Sequence, residues 1–184
     1  SAKADDAIKV IGGSADVTVQ ASYFAGGGLA GAEVNWNLTA SETTFTPPNR
    51  DDFTFGKWVP WWGWGRRWWD EGPSWKPPQS WTHQAKTDAT GAHVLHLDFL
   101  GVNPPTPMTI SANAAVTDVN RQAWNAATTL LIHPAVHYVG MRAKRPYVDQ
   151  GQAIEIEAID VDLDGQAVLG QPIDRNGPIK ASEF

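Results

Sequence analysis

Alternation of apolar and polar residues with a period of two is the feature that most restricts how this chain can fold. It appears in residues 16–23, 32–38 and 93–99, which are rich in β-branched and aromatic side chains. Successive side chains of a strand point to opposite faces of a sheet, so each segment predicts a strand with one buried and one exposed face. No segment shows the 3.6-residue period of an amphipathic helix.

Further strand candidates follow at regular intervals, separated by Gly, Pro and Asn residues that favour turns. They lie at residues 108–116, 127–133, 136–143, 153–163 and 167–173. With 17 Gly and 13 Pro in 184 residues, many short strands alternate with frequent turns. The pattern predicts an all-β fold, an antiparallel β-sandwich of the immunoglobulin-like or fibronectin-III-like kind.

The length suits one complete domain and part of a second. Residues 1–134 are expected to form the complete sandwich, with Trp36 and Trp124 in its core. A hinge is expected at Pro134, because proline lacks a backbone donor and holds the preceding residue extended. Residues 135–184 then supply three strands, the beginning of a second domain. Such a short sheet should expose an edge or an apolar face unless another domain or chain covers it.

Charge and cysteine content exclude several classes of function. A net charge of −6 and a pI of about 5.2 argue against nucleic acid as a partner. The chain has no cysteine, which excludes disulfides, thiolate nucleophiles and cysteine-ligated metals. No stretch reaches the roughly 18 consecutive apolar residues that a membrane-spanning helix needs.

A tryptophan-rich insertion interrupts the strand pattern at about residues 56–86. Tryptophan offers a large, rigid contact area, and arginine can lie over an indole ring. Three interpretations are open: a small aromatic core that covers a sheet edge, a contact surface for a neighbouring domain or protein, and stacking on sugars or contact with a bilayer. The candidate interaction residues are Trp58, Trp61, Trp62, Trp64, Arg66, Arg67, Trp68, Trp69, Trp75 and Trp81.

No catalytic, cofactor-binding or metal-binding residues are predicted. The run from Asp160 to Gly165 begins like a calcium loop, but Gln171 stands where the bidentate glutamate is required. A turn after a strand explains the same residues and is preferred. A weak calcium site formed by Asp160, Asp162 and Asp164 is the alternative. His93 and His96 should lie on opposite faces of a strand and so cannot bind one metal together. All five histidines are expected to be structural or exposed.

A set of local motifs gives the chain a family resemblance. Residues 21–34, a strand followed by a glycine turn and a second strand, look like the YxxGxPxxGAxV hairpin of macroglobulin-like domains. Further similar motifs follow in the family's order at residues 53–56, 87–92, 116–122 and 133–142. The chain therefore resembles bacterial alpha-2-macroglobulins over about residues 8–173, outside the insertion.

The resemblance implies a non-catalytic structural module of a broad-spectrum protease inhibitor, located in the periplasm or at the cell surface. In this family a protease cleaves a bait segment, the molecule rearranges, and a thioester in a Cys-x-Glu-Gln motif binds the attacker. Neither element carries over, because the chain has no cysteine and no recognisable bait segment.

The partners implied by the resemblance are neighbouring macroglobulin-like domains and, through the intact parent protein, target proteases. Membrane contact would occur only through an anchor elsewhere in the parent. The alternative function is a carbohydrate-binding or adhesive β-sandwich module that acts through the tryptophan-rich insertion.

Overall fold

The computed structural model describes residues 1–56, 77–100, 105–145, 147–149 and 151–169, and within them the fold is all-β. None of these described residues forms a helix long and apolar enough to cross a membrane. The described strands, in chain order, are β1 (Ala2–Ala4), β2 (Lys9–Val10), β3 (Ser14–Gln20), β4 (Glu33–Glu42), β5 (Thr54–Phe55), β6 (Gln79–Lys86), β7 (Ala92–Asp98), β8 (Met108–Thr117), β9 (Ala123–His133), β10 (His137–Ala143) and β11 (Ile156–Asp162).

The strands form two compact units. The first contains residues 1–45 and the described residues from 77 to 136. It holds two sheets, the β3 sheet with order β1-β3-β7 and the β4 sheet with order β2-β9-β8-β4-β6. The second unit contains residues 46–56 and the described residues from His137 onward. Its sheet, the β10 sheet, has the order β11-β10-β5. Neighbouring strands are antiparallel except for the β2–β9 pair.

Alternation along the strands builds the core of the first unit. Every second residue of β3, and of β4 as far as Ala40, is buried, as the period-two pattern predicts. Trp36 is only 1% exposed, and Ala114 lies opposite it on β8. A small residue beside a large one lets the layers of a sandwich pack without a void.

Trp124 does not lie in the core, so that prediction is wrong. Its backbone pairs with that of the buried Val116, yet the Trp124 side chain is 57% exposed. Trp124 stands near the start of β9, and the β3 sheet has fewer described strands than the β4 sheet it faces. A residue on the core-facing side of a strand can therefore remain exposed where the opposite sheet does not cover it.

The motifs that carry the family resemblance are joined to one another by hydrogen bonds. The Thr87 hydroxyl donates to the carbonyl of Leu29 at 2.5 Å and accepts from the backbone N–H of Ala32 at 2.9 Å. The N–H of Ala21 donates to the carbonyl of Gly91 at 2.9 Å. Thr87 is buried, and these bonds satisfy it. The glycine hairpin and the 87–92 turn thus form one local structure.

Three turns share one aspartate-based geometry. In each, a carboxylate oxygen accepts the N–H groups of the residues two and four positions later, and the fourth residue of the turn has a positive φ. The turn at 162–165 has the hydrogen bonds that turn chemistry predicts for the run beginning at Asp160. The aspartates are Asp88, Asp118 and Asp162, and the residues with positive φ are Gly91 (82°), Arg121 (62°) and Gly165 (78°).

In the second unit, residues 46–56 pack with strands that the sequence pattern assigns to a separate domain. Phe55 of β5 pairs with Gly140 of β10. A Cβ atom at Gly140 would lie 2.6 Å from the Phe55 ring, so any other residue there would force the ring to shift. Phe53 and Tyr138 are buried, and burial raises the pKa of Tyr138 to about 12.

An arginine connects three segments of the second unit. The Arg142 guanidinium forms ion pairs with Asp52 and Glu157, the latter at 2.8 Å, and it lies 4.4 Å from the centre of the Phe53 ring. Its hydrogen bond to Glu157, followed by the charges nearby, raises the pKa of Arg142. These contacts hold residues 46–56 against β10 and β11.

Truncation of the two tryptophans should separate core from surface. Trp36→Ala is expected to lower the free energy of unfolding by about 3–5 kcal/mol, the usual loss for a buried aromatic side chain. Trp124→Ala, the matched control, should change it by less than about 1 kcal/mol. Urea unfolding measured by far-UV circular dichroism compares the two variants, and equal losses would contradict the different burial of the two side chains.

Arg121 and Gly91 both have a positive φ, and substitutions at these two positions should change the stability in opposite directions. Arg121→Gly should raise the stability by about 1 kcal/mol, because glycine adopts a positive φ without steric strain. Gly91→Ala should lower it by at least about 1 kcal/mol, because alanine is strained there and its Cβ would overlap the carbonyl oxygen of Ala21. Thermal melts of both variants provide the measurement, and a stabilising Gly91→Ala would contradict the turn geometry.

Candidate interaction surface

Most of the predicted interaction residues lie outside the described part of the chain. Those residues are Trp58, Trp61, Trp62, Trp64, Arg66, Arg67, Trp68, Trp69 and Trp75. Trp81 is described, on strand β6. The insertion expected over about residues 56–86 therefore ends in a strand, since residues 79–86 pair with β4 along their whole length.

The composition of β6 lacks the alternating pattern from which a strand could be predicted. Nearly all of its side chains are exposed, and polar residues occur on both faces of the strand. A strand reveals itself by alternation only when one face is buried. Residues 79–86 are identified as a strand by their pairing with β4, which only the folded structure shows.

Trp81 lies on β6, which is an edge strand among the described strands of the first unit. Its backbone pairs with Leu38, a core residue, so the indole is on the core-facing side of the β4 sheet. It is nevertheless 49% exposed. Among the described strands β6 has β4 as its neighbour on one side and none on the other. An edge strand of this kind offers unpaired N–H and C=O groups together with an aromatic side chain.

A group of aromatic and imidazole rings continues from Trp81 along the same face. His83 follows two residues later on β6, and its ring centre is 6.2 Å from that of His93 on β7. The Trp36 indole Nε1–H donates a hydrogen bond to His93 Nδ1 at 3.1 Å. A buried indole N–H needs an acceptor, and His93 provides it.

The pKa values of these histidines follow from their positions. Burial, followed by the nearby charge of His83, lowers the pKa of His93, while Asp88 opposes the shift. His96 lies on the other face, where Asp16 at 2.6 Å raises its pKa. The opposite placement of His93 and His96 agrees with the predicted alternation. Burial also lowers the pKa of His133.

The Lys9 ammonium already has partners and so offers no free cation. Lys9 is buried, and its ammonium donates to the carbonyls of Asp5 and Ala7, at 2.7 and 2.5 Å, and to the Asp5 carboxylate. The bond from Lys9 is the largest of the influences that lower the pKa of Asp5. These contacts fix the chain between β1 and β2.

The described residues give no sign of a metal centre. Within that part of the chain, no group of three or more His, Asp or Glu side chains is arranged to hold an ion. Asp162 uses one carboxylate oxygen to accept two backbone N–H groups of its own turn. Asp160 is close to His137, with 3.9 Å between a carboxylate oxygen and Nδ1.

The chain is similar to parts of much larger proteins. It is 25% identical over 174 residues to an alpha-2-macroglobulin homolog of Nostoc sp., a match that covers 93% of this chain and 8% of the relative. No protein-family model matches the chain.

Solved structures with a similar fold come from the same family. The native conformation of Escherichia coli alpha-2-macroglobulin matches with a TM-score of 0.61 at 12% identity, over 91% of this chain and 11% of that one. The trypsin-activated form matches with a TM-score of 0.61 at 11% identity, over 90% and 12% of the chains. Salmonella alpha-2-macroglobulin reacted with methylamine gives 0.61 at 13% identity, over 91% and 11%. The fold is that of macroglobulin domains, and the chain spans about a tenth of these proteins.

Replacing Asp16 should change the titration of His96 but not that of His93. In Asp16→Asn the pKa of His96 is expected to fall toward its ordinary value, because the hydrogen bond to the carboxylate is its largest cause. The stability from this pair is present below the ordinary histidine pKa of 6.5 and is lost as pH rises through the higher folded value. Histidine-ring NMR titrations measure both groups, and an unchanged His96 pKa would contradict the pairing.

Proposed function

We propose, from the resemblance of this chain to bacterial alpha-2-macroglobulins in sequence and fold, that it is a non-catalytic structural module of a broad-spectrum protease inhibitor of that type. The single observation that carries the proposal is the match of 93% of this chain to 8% of a curated relative. A segment that small would act as part of a larger architecture. The trapping of proteases would be performed by the intact parent.

In this proposal the chain contains one complete macroglobulin-like domain over residues 1–134, apart from the 46–56 segment that packs with β10, and the opening strands of a second over 135–184. The exposed face of the β10 sheet supports it. Val139, Met141 and Ile156 are 48%, 53% and 52% exposed, and Ala158 pairs with Met141 on that face. An antiparallel sheet with apolar residues on its outer face is a surface that further chain would cover.

The proposed partners follow from the same reasoning. Neighbouring macroglobulin-like domains of the parent would pack on the module, and target proteases would meet it only through the intact inhibitor. The proposed location is the periplasm or the cell surface, where family members encounter foreign proteases. Attachment to a membrane would come from an anchor elsewhere in the parent.

A second candidate function is carbohydrate binding or adhesion, favoured by the position of Trp81. This indole is half exposed at the β6 edge, where the tryptophan-rich insertion joins the sheet. A flat indole beside polar groups can stack on a sugar ring. The alternative would make the insertion a binding site and not a support for the fold.

Protease protection assays test the first proposal. The full polypeptide that contains this chain should, after reaction with trypsin, reduce cleavage of a large protein substrate while sparing cleavage of a small chromogenic peptide. A trap blocks access by size, whereas an active-site inhibitor would suppress both. The isolated 184-residue chain should affect neither substrate. Inhibition of both substrates by the isolated chain would exclude the structural role.

A glycan array compares the second candidate with the first. Binding by the wild-type chain that is lost in Trp81→Ala and retained in Trp124→Ala would establish the carbohydrate function. The control is matched, because both tryptophans are about half exposed and lie on strands of the same sheet. Because we favour the structural role, we expect that the wild-type chain, Trp81→Ala and Trp124→Ala all fail to bind any glycan.

A further inference from the structure

A hydrogen bond between Trp36 and His93 connects the two sheets of the first unit. Trp36 is on β4, in the β4 sheet, and His93 is on β7, in the β3 sheet. The indole Nε1–H and the imidazole Nδ1 are 3.1 Å apart, and Trp36 is almost completely buried. The bond therefore ties the sheets together at the side of the sandwich where β6 and β7 lie.

This bond requires neutral His93. The indole Nε1–H is a donor and cannot accept, so Nδ1 must carry a lone pair and the ring proton must be on Nε2. Protonation places a hydrogen on Nδ1 as well, and two N–H groups would then face each other. The protonated ring would have to move away, and Trp36 would lose its acceptor.

His83 strengthens the response to acid. Its ring centre is 6.2 Å from that of His93, on the edge strand of the facing sheet. Two imidazolium rings at this distance repel, which adds to the effect of protonating His93. Asp88, in the connection from β6 to β7, is the opposing carboxylate that favours the charged ring. Among the described residues these are the charged groups that affect His93.

We propose that Trp36, His93 and His83 form a pH-sensitive latch between the two sheets, closed at neutral pH and released when His93 becomes protonated. Release would loosen β7 from β4 at the side of the sandwich where β6 and β7 lie and expose the core-facing side of β6 next to Trp81. The inference goes beyond the proposed structural function and does not depend on it.

The sign of the pH dependence follows from linkage. Burial and His83 hold the pKa of His93 below its ordinary value of 6.5. Above that value both folded and unfolded chains carry neutral His93, so its contribution to stability is complete. As pH falls below it, the unfolded chain takes up the proton first, and stability is lost down to the folded pKa. Burial of His133 contributes in the same direction, and the Asp16–His96 pair opposes it.

NMR of the 184-residue chain tests the latch directly. The indole N–H resonance of Trp36, identified by its absence in Trp36→Phe, should shift between about pH 7.5 and about pH 5, with the same midpoint as the His93 ring. In His93→Asn the resonance should keep its position, because the asparagine carbonyl accepts the bond and does not titrate. The drop in melting temperature over this range should shrink to about half or less.

A second variant keeps the proposal testable if His93→Asn fails to fold. His83→Gln removes the neighbouring positive charge, so the midpoint for His93 and for the Trp36 indole should both move to higher pH by the same amount. A Trp36 resonance that does not respond to pH, or a His93 midpoint at or above about 6.5, would overturn the latch. Protease and glycan assays play no part in these readouts, so failure here leaves the proposed function untouched.

Discussion

Burial of Trp36 is the interaction on which the first unit depends. Its indole ring occupies the space between the sheets, and alanines on β8 leave room for it. The ring carries one N–H that must find an acceptor in a dry interior. His93 supplies that acceptor, which places a titratable group next to the core. Packing, hydrogen bonding and pH response therefore meet at one pair of side chains.

The sequence features shared with alpha-2-macroglobulins are explained by turn and hairpin chemistry. Thr87 binds the glycine hairpin, and Asp88 and Asp118 close two turns through their carboxylates. These residues are needed to fix strand register, because the turn determines which residues face each other. A resemblance carried by such residues concerns the scaffold. This agrees with the proposed structural module.

Among the described residues of the second unit, one face of the β10 sheet is packed and the other is exposed. Phe53, Tyr138 and Val161 are buried, and Arg142 holds the 46–56 segment in place. Val139 and Met141 point the other way and stay half exposed. A sheet this narrow gains little stability alone, so a covering layer would contribute much of its folding energy. That requirement links the local packing to the proposed place of the chain within a larger protein.

The sequence alone determined the all-β class, the strands whose faces differ in polarity, and the aspartate turn at 162–165, because period-two alternation and turn chemistry are local properties. It did not determine that β6 is a strand, since both of its faces are polar or exposed, nor that Trp124 is exposed while Trp36 is buried. Both tryptophans stand on the core-facing side of their strands. Which one is covered depends on how far the opposite sheet extends, and the meeting of Trp36, His93 and His83 depends on strand pairing between distant segments. Only the tertiary structure decides such contacts.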